Sequence, residues 1–192
     1  MAAPVFTNLS PLSTEPEIKN LSGYPRLKPA YILKVKVTTG RPVGTILSGS
    51  NLIHWETGSG TLTTAEGYDH PVEANVEYGS DWLVFDPDGG HARPELKLLA
   101  RTDDGVVLDC GYTGVARASQ PILDMFEKDP NAKTFPFGIS STVHTFRTGN
   151  PKYKHLENKT FVGNGRFVIT QNPFSITVES RISEVIPSCD MD

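Results

Sequence analysis

From residue 27 to residue 186 the chain runs in short apolar stretches that alternate with polar positions at a period of two. In AYILKVKVTTG, Tyr31, Leu33, Val35 and Val37 fall on one face and Lys34 and Lys36 on the other, as in a half-buried strand. Comparable runs follow in GTILSG, GSGTLTT, ANVEYG, DWLVFD, ELKLLART, GVVLDCGYTGVAR, STVHTFRT, KTFVGNGRFVIT and FSITVESRISEVI. Runs of this kind predict about nine strands. DPDGG at 86–90, DDG at 103–105 and GNG at 163–165 carry residues that tolerate positive φ, so all three are expected as tight hairpin turns of antiparallel meanders. One segment breaks the pattern: PILDMFEKDPN starts at Pro121, stops at Pro130 and reads as a short helix, a lid or plug within a loop.

An all-β domain with hairpins this frequent is a sandwich or a closed barrel, and closure is the cleaner remedy for exposed strand edges. The expected fold is therefore an antiparallel β-barrel with one short helical insertion. A barrel of about eight strands can hold one small ligand, which directs attention to small molecules. Residues 1–26, rich in Pro, Ser, Asn and Glu, bury little by themselves and are expected to be an extension that wraps the barrel or stays mobile. The barrel domain is expected over 27–187, with a tail at 188–192 and no second domain among the 192 residues.

Charge narrows the partners. Eighteen basic against 22 acidic residues give a net charge of −4, with no basic block to track a phosphate backbone, so nucleic acid is not expected. No apolar run has membrane-spanning length, and the first 20 residues lack the basic start and apolar middle of a secretory signal, so a soluble, cytoplasmic protein is expected. Cys110 and Cys189 make neither a disulfide scaffold nor a metal site. The five histidines, at 54, 70, 91, 144 and 155, show no short ligand pairs, so no metal and no cofactor is expected. Glycosylation-type triplets at Asn8, Asn20 and Asn158 read as chance. A homodimer is compatible with the composition.

Three blocks in order, GSDW (79–82), ARTDDG (100–105) and FRTGNPKYKHLENKTFVGNG (146–165), resemble the signature of the family catalogued as domain of unknown function 3237. YILKVKV (31–37) with Gly44 soon after fits its first strand. The resemblance implies a lipocalin-like (calycin-like) barrel of the fungal type, from a family found in bacteria and in fungal biosynthetic settings, and assigns no activity. The chain departs from the family's Gly-Asp-Pro-Arg-Tyr-x-Trp run, having Gly149, Asn150, Pro151, Lys152, Tyr153, Lys154 and His155. Residues 118–142 look like an expanded loop at the barrel mouth.

Several residues are candidates for chemistry. Asp81 beside Trp82 suggests a carboxylate that loses solvation against an indole, raising its pKa until it can act as a general base; the bland alternative is a strand end with Trp82 in the core. Arg101 and Asp103 share a face with Glu95 and Lys97, opposite Leu96, Leu98 and Ala100. That face is either a solvated exterior or a polar lumen in which Arg101 binds a carboxylate or enolate oxygen. In HTFRTG, either Arg147 or His144 can face a pocket, but not both within one regular strand. His144 reads equally as a structural histidine. Tyr112, on the face of Leu108 and Cys110, projects a phenol inward to orient a carbonyl or simply to pack.

Two functional expectations follow. One is a cofactor-free small-molecule tailoring enzyme of secondary metabolism, an isomerase, cyclase or lyase (dehydratase) acting by general acid/base catalysis next to a carbonyl. In it Asp81, Arg101 and Arg147 are catalytic, and Trp82, Tyr112, Asp103 and His144 bind a partly apolar substrate. The other is a non-catalytic lipocalin-like carrier. Convergent polar groups around a cavity favour the enzyme, and a wholly apolar cavity favours the carrier.

Overall fold

The computed structural model describes residues 22–189, so expectations about residues 1–21 and 190–192 lie outside the described residues. Ten strands form the wall: β1 (Arg26–Val37), β2 (Gly40–Thr45), β3 (Asn51–Glu56), β4 (Ser59–Thr64), β5 (Ala74–Phe85), β6 (His91–Thr102), β7 (Val107–Arg117), β8 (Ser140–Arg147), β9 (Phe161–Gln171) and β10 (Phe174–Ile186). Helix α1 (Gln120–Phe126) follows β7, and a 3₁₀ turn, Lys154–Asn158, follows β8.

The strand order β2-β3-β5-β4-β1-β10-β9-β8-β7-β6 closes through a β5–β6 pairing. β1 and β2 act as one bent stave, because Lys36 pairs with Ser59 and Gly40 with Trp55 in a single antiparallel register. The bend is bridged by hydrogen bonds from Thr38 N to Glu56 O and from Glu56 N to Thr39 O, both 2.9 Å. β3 and β4 are likewise one stave, both pairing with β5. Counting each bent pair once, the ten strands make an eight-stave up-and-down barrel. The all-β, antiparallel barrel with one short helix is thus what the alternation pattern led us to expect.

Local readings differ in four places. GTILSG is mostly a turn: β2 ends at Thr45, and Gly49 N donates to Ile46 O at 2.9 Å in the β2–β3 connection. ANVEYG and DWLVFD are one strand, β5, with an irregularity between Val76 and Tyr78. An extra residue there shifts the alternation that a period-two reading relies on. NLIHWE, β3, escaped the pattern because both of its faces carry apolar residues. GNG at 163–165 is no turn but the middle of β9. A Cβ on Gly163 would stand 2.3 Å from His144 Nε2, and one on Gly165 2.1 Å from Ser140 Oγ. These glycines provide interior space, not positive φ.

The two ends of the barrel are filled differently. The lower half packs Tyr31, Leu33, Leu62, Leu98, Leu108, Phe146, Phe161 and Ile182 into one buried core, closed by the 3₁₀ turn through Leu156 and by Tyr68 and Val72. The upper end is stoppered by α1, whose Ile122 and Met125 are buried against Ile176 and partly buried aromatics including Phe126, Phe135 and Phe167. Segment 118–139 therefore plugs the barrel mouth. Among the described residues no helix is long and apolar enough to cross a membrane.

Candidate functional site

Cross-strand pairing builds the site as a row. Trp55 on β3 pairs with Asp81 on β5, Asp81 with Leu96 on β6, Leu96 with Tyr112 on β7, and Tyr112 with His144 on β8. Asp81 sits mid-strand, not at a strand end, and with Tyr112, Trp55 and Ser140 it lines a cavity of about 40 Å³ walled by Leu83, Pro94, Phe126 and Phe167, among others. The volume suffices for a few waters at roughly 15 Å³ each, so a ligand is admitted only when a wall side chain moves aside.

Burial pushes the Asp81 carboxyl up to about 7, a backbone hydrogen bond from Glu95 N (3.1 Å) opposes the shift, and the Glu95 charge adds to it. That bond occupies Oδ1. Burial also raises the Tyr112 phenol well above its ordinary value, with the Asp81 charge adding to the effect. Among the described residues the buried Trp55 indole N–H has no hydrogen-bond acceptor. Left unpaired, a buried donor of this kind is destabilising by about 1–3 kcal/mol. The Trp55 benzo edge rests on Gly40, where a Cβ would be 2.6 Å from the ring, which leaves the N–H on the edge away from β2.

His144 lies beside Tyr112, ring centroids 5.0 Å apart, and its Nε2 is 2.9 Å from Thr142 Oγ1. Desolvation drives its pKa down to about 3, so it is a neutral imidazole that props the phenol. The choice between Arg147 and His144 is resolved: His144 is buried inside, and Arg147 lies outside, paired with Asp109 at 2.5 Å.

Other candidates are not brought together with Asp81. Arg101 is on the outer face, held by Glu77 at 2.6 and 3.0 Å, and Asp103 is exposed in the β6–β7 turn. The apolar face of β6 fills the lumen, so the charged row is the solvated exterior. Trp82 also points outward, 39% exposed, its ring edge-on to His54 at 4.7 Å. Alternation forbids adjacent residues from sharing a face, so Asp81 inside requires Trp82 outside. The aromatic wall beside Asp81 is Trp55, one stave away, and Phe126 from the plug. A signal for Trp55 existed in the alternation of Asn51, Ile53 and Trp55, hidden by apolar Leu52 on the other face. Among the described residues no group of three or more His, Cys, Asp or Glu is placed to hold a metal.

The comparison with known families falls in with this geometry. Residues 25–185 match the family described as protein of unknown function, DUF3237. The chain belongs to this family. A search of curated proteins found no match. Solved structures share the barrel. A conserved protein of unknown function from Rhodopseudomonas palustris is 18% identical with a TM-score of 0.67, covering 86% of this chain and all (100%) of that one. A β-barrel-like protein from Acinetobacter baumannii is 19% identical with a TM-score of 0.63, covering 87% and 99%. An enzyme from Penicillium herquei is 15% identical with a TM-score of 0.55, covering 88% and 99%. At these identities the likeness concerns the fold.

Proposed function

We propose that this DUF3237 member is a small-molecule enzyme that moves a proton next to a carbonyl, using Asp81 as the base. The observation that carries the reading is a carboxyl raised to about 7 in a cavity lined also by Tyr112 and by Trp55, whose buried indole N–H lacks an acceptor. A group titrating near neutrality is effective both as base and as the acid that returns the proton. Buried donors aimed at a developing oxyanion supply the stabilisation that such a step requires.

Asp81 removes a proton from the carbon beside the carbonyl, and the C–H electron pair moves into the enolate, its charge residing on oxygen. Trp55 and Tyr112 donate hydrogen bonds to that oxygen, and protonated Asp81 returns its proton to the γ carbon where a β,γ double bond extends the enolate, moving that double bond into conjugation and completing an isomerisation. Interception of the enolate by an internal electrophile would make the same site a cyclase; loss of a β-substituent would make it a lyase. Arg101 and Arg147 have no part in this scheme because both lie outside the barrel. That a structurally similar fungal protein is described as an enzyme supports a catalytic reading without specifying the reaction.

The test is incubation in D₂O of wild type and Asp81→Asn with a small-molecule extract of the source organism, read by mass spectrometry. We expect wild type to introduce deuterium into, or convert, at least one component that Asp81→Asn binds but leaves unchanged. Molecules captured and left unlabelled by both proteins would overturn the enzyme reading and establish a carrier.

A further inference from the structure

The cavity beside Asp81 is separated from a surface groove of about 170 Å³ by side chains that line both spaces: Val37, Trp55 and Phe126. Phe126 is the movable member, since it ends the seven-residue α1, whereas Val37 and Trp55 belong to the barrel wall. Its ring stacks on Trp55, centroids 4.7 Å apart and planes inclined by 28°, with the Phe167 ring edge-on at 5.6 Å. Phe126 thus occupies the berth that a flat ring would take against the indole.

The groove is rimmed by Lys36 and Lys128, and no ion pair to either is found among the described residues. The nearby Glu56 carboxylate is taken by Arg41 at 2.5 Å. Lys128 holds its place at φ 63°, the left-handed position of a Schellman ending in which Lys128 N donates to Met125 O and Asp129 N to Asp124 O, both 3.0 Å. Glycine is the usual residue there, and a lysine is strained by roughly 1 kcal/mol. The strained residue places a cation on the rim of the groove.

We infer that the ligand is a flat conjugated ring bearing an anionic group: the ring displaces Phe126 from Trp55, and the anion stays at the groove between Lys36 and Lys128. Entry is between the end of β1 and the start of β10. The assignment rests on the enzyme reading only for what Asp81 then does to the ligand; the binding mode stands by itself.

The probe is 2-naphthoate, with neutral 2-naphthamide as its control. Both are titrated calorimetrically and by the fluorescence of Trp55, which is the sole indole in a Trp82→Phe background because the chain has two tryptophans. Displacement of Phe126 predicts a change in Trp55 emission on binding. Phe126→Ala removes the competing ring and should tighten both probes about 10-fold. Phe126→Leu, which retains bulk in the plug, serves should the alanine variant not fold, and should tighten them by about 3-fold. The pair Lys36→Gln and Lys128→Gln should weaken naphthoate about 5- to 10-fold while leaving naphthamide within about 2-fold. Equal weakening of both probes, no binding by wild type or Phe126→Ala, or unchanged affinity in both Phe126 variants would overturn the inference. Charge-selective binding by wild type without deuterium exchange in the extract condemns the enzyme reading alone. Exchange without charge-selective binding condemns this inference alone.

Discussion

The lower and upper halves of the barrel are made by the same staves, yet they treat buried polar groups in opposite ways. Below, Tyr31 donates its hydroxyl to His70 O at 2.9 Å, while Tyr68 and Lys159 each reach a carboxylate oxygen of Glu184 at 2.5 Å. Burial pushes Glu184 upward, but Lys159 and Tyr68 more than offset it and hold the carboxyl below its ordinary range. Above, Asp81 has a single backbone donor and is held near neutrality, with the Trp55 N–H unpartnered one stave away. The contrast is not absolute, since His155 Nε2 is buried below without a hydrogen bond, against the His70 ring at 4.4 Å. A carboxylate supplied with two side-chain partners closes the barrel; one denied them is available for chemistry.

The strongest way to sharpen this division is to empty the lower half. Phe161, fully buried, sits edge-on to Phe146 at 5.1 Å and tilted against Tyr31 at 5.7 Å. Phe161→Ala removes a ring that no backbone shift in a closed barrel readily replaces, and should lower stability by about 3–5 kcal/mol in denaturant titration. Phe126→Ala in the plug should fall well short of that loss, because Phe126 is only partly buried and borders empty space. Equal losses would show that the plug is as much core as the floor.

This difference also explains what could be read from the chain. Filled regions obey alternation, so Tyr31, Leu33, Val35 and the apolar face of β6 were legible, as was the helix-like interruption after Pro121. The inward placement of Tyr112 was legible for the same reason, whereas the pattern left open whether His144 or Arg147 faces inward and put Asp81 at a strand end. That Arg101, Arg147 and Trp82 face outward was not legible, because one strand's pattern gives two faces and not which of them is the lumen. Only the pairing of β3 with β5 brings Trp55 opposite Asp81, and only the fold of 118–139 brings in Phe126. Neither contact leaves a local trace, and the irregularity at Val76–Tyr78 further disguises the phase of β5.

A second prediction separates two interior titrating groups, Asp81 and His144. Asp81 has a folded pKa above its unfolded value, so between about pH 4 and 7 the unfolded chain is deprotonated where the native one is not, and stability falls as pH rises. His144, held at about 3, acts in the other direction: below about pH 6.5 the unfolded chain gains a proton that the native one refuses, and stability falls as pH drops. Between about pH 4 and 6.5 the two slopes offset each other. Asp81→Asn removes one of them, so its stability relative to wild type should climb as pH rises from 4 to 7, by about 2–4 kcal/mol in all. Chemical denaturation at pH 4, 5.5 and 7 reads this directly. A constant difference across the three would mean that Asp81 titrates like a surface carboxyl, and the proposed base would lose its basis.

The smallest effect is expected where residues looked catalytic in the chain and lie outside the barrel in the fold. Arg101 and Arg147 are about half exposed or more, each in an outer ion pair, with Glu77 and Asp109. Such pairs contribute at most about 1 kcal/mol, and salt screens them. Arg101→Gln and Arg147→Gln should each change stability by less than about 1 kcal/mol, leave Asp81-dependent deuterium exchange unaltered, and become silent at high salt. A loss of exchange in either variant at unchanged stability would place the working surface on the outside of the barrel. The upper cavity would then be packing left incomplete, and its unpartnered donor a defect tolerated by a stable floor.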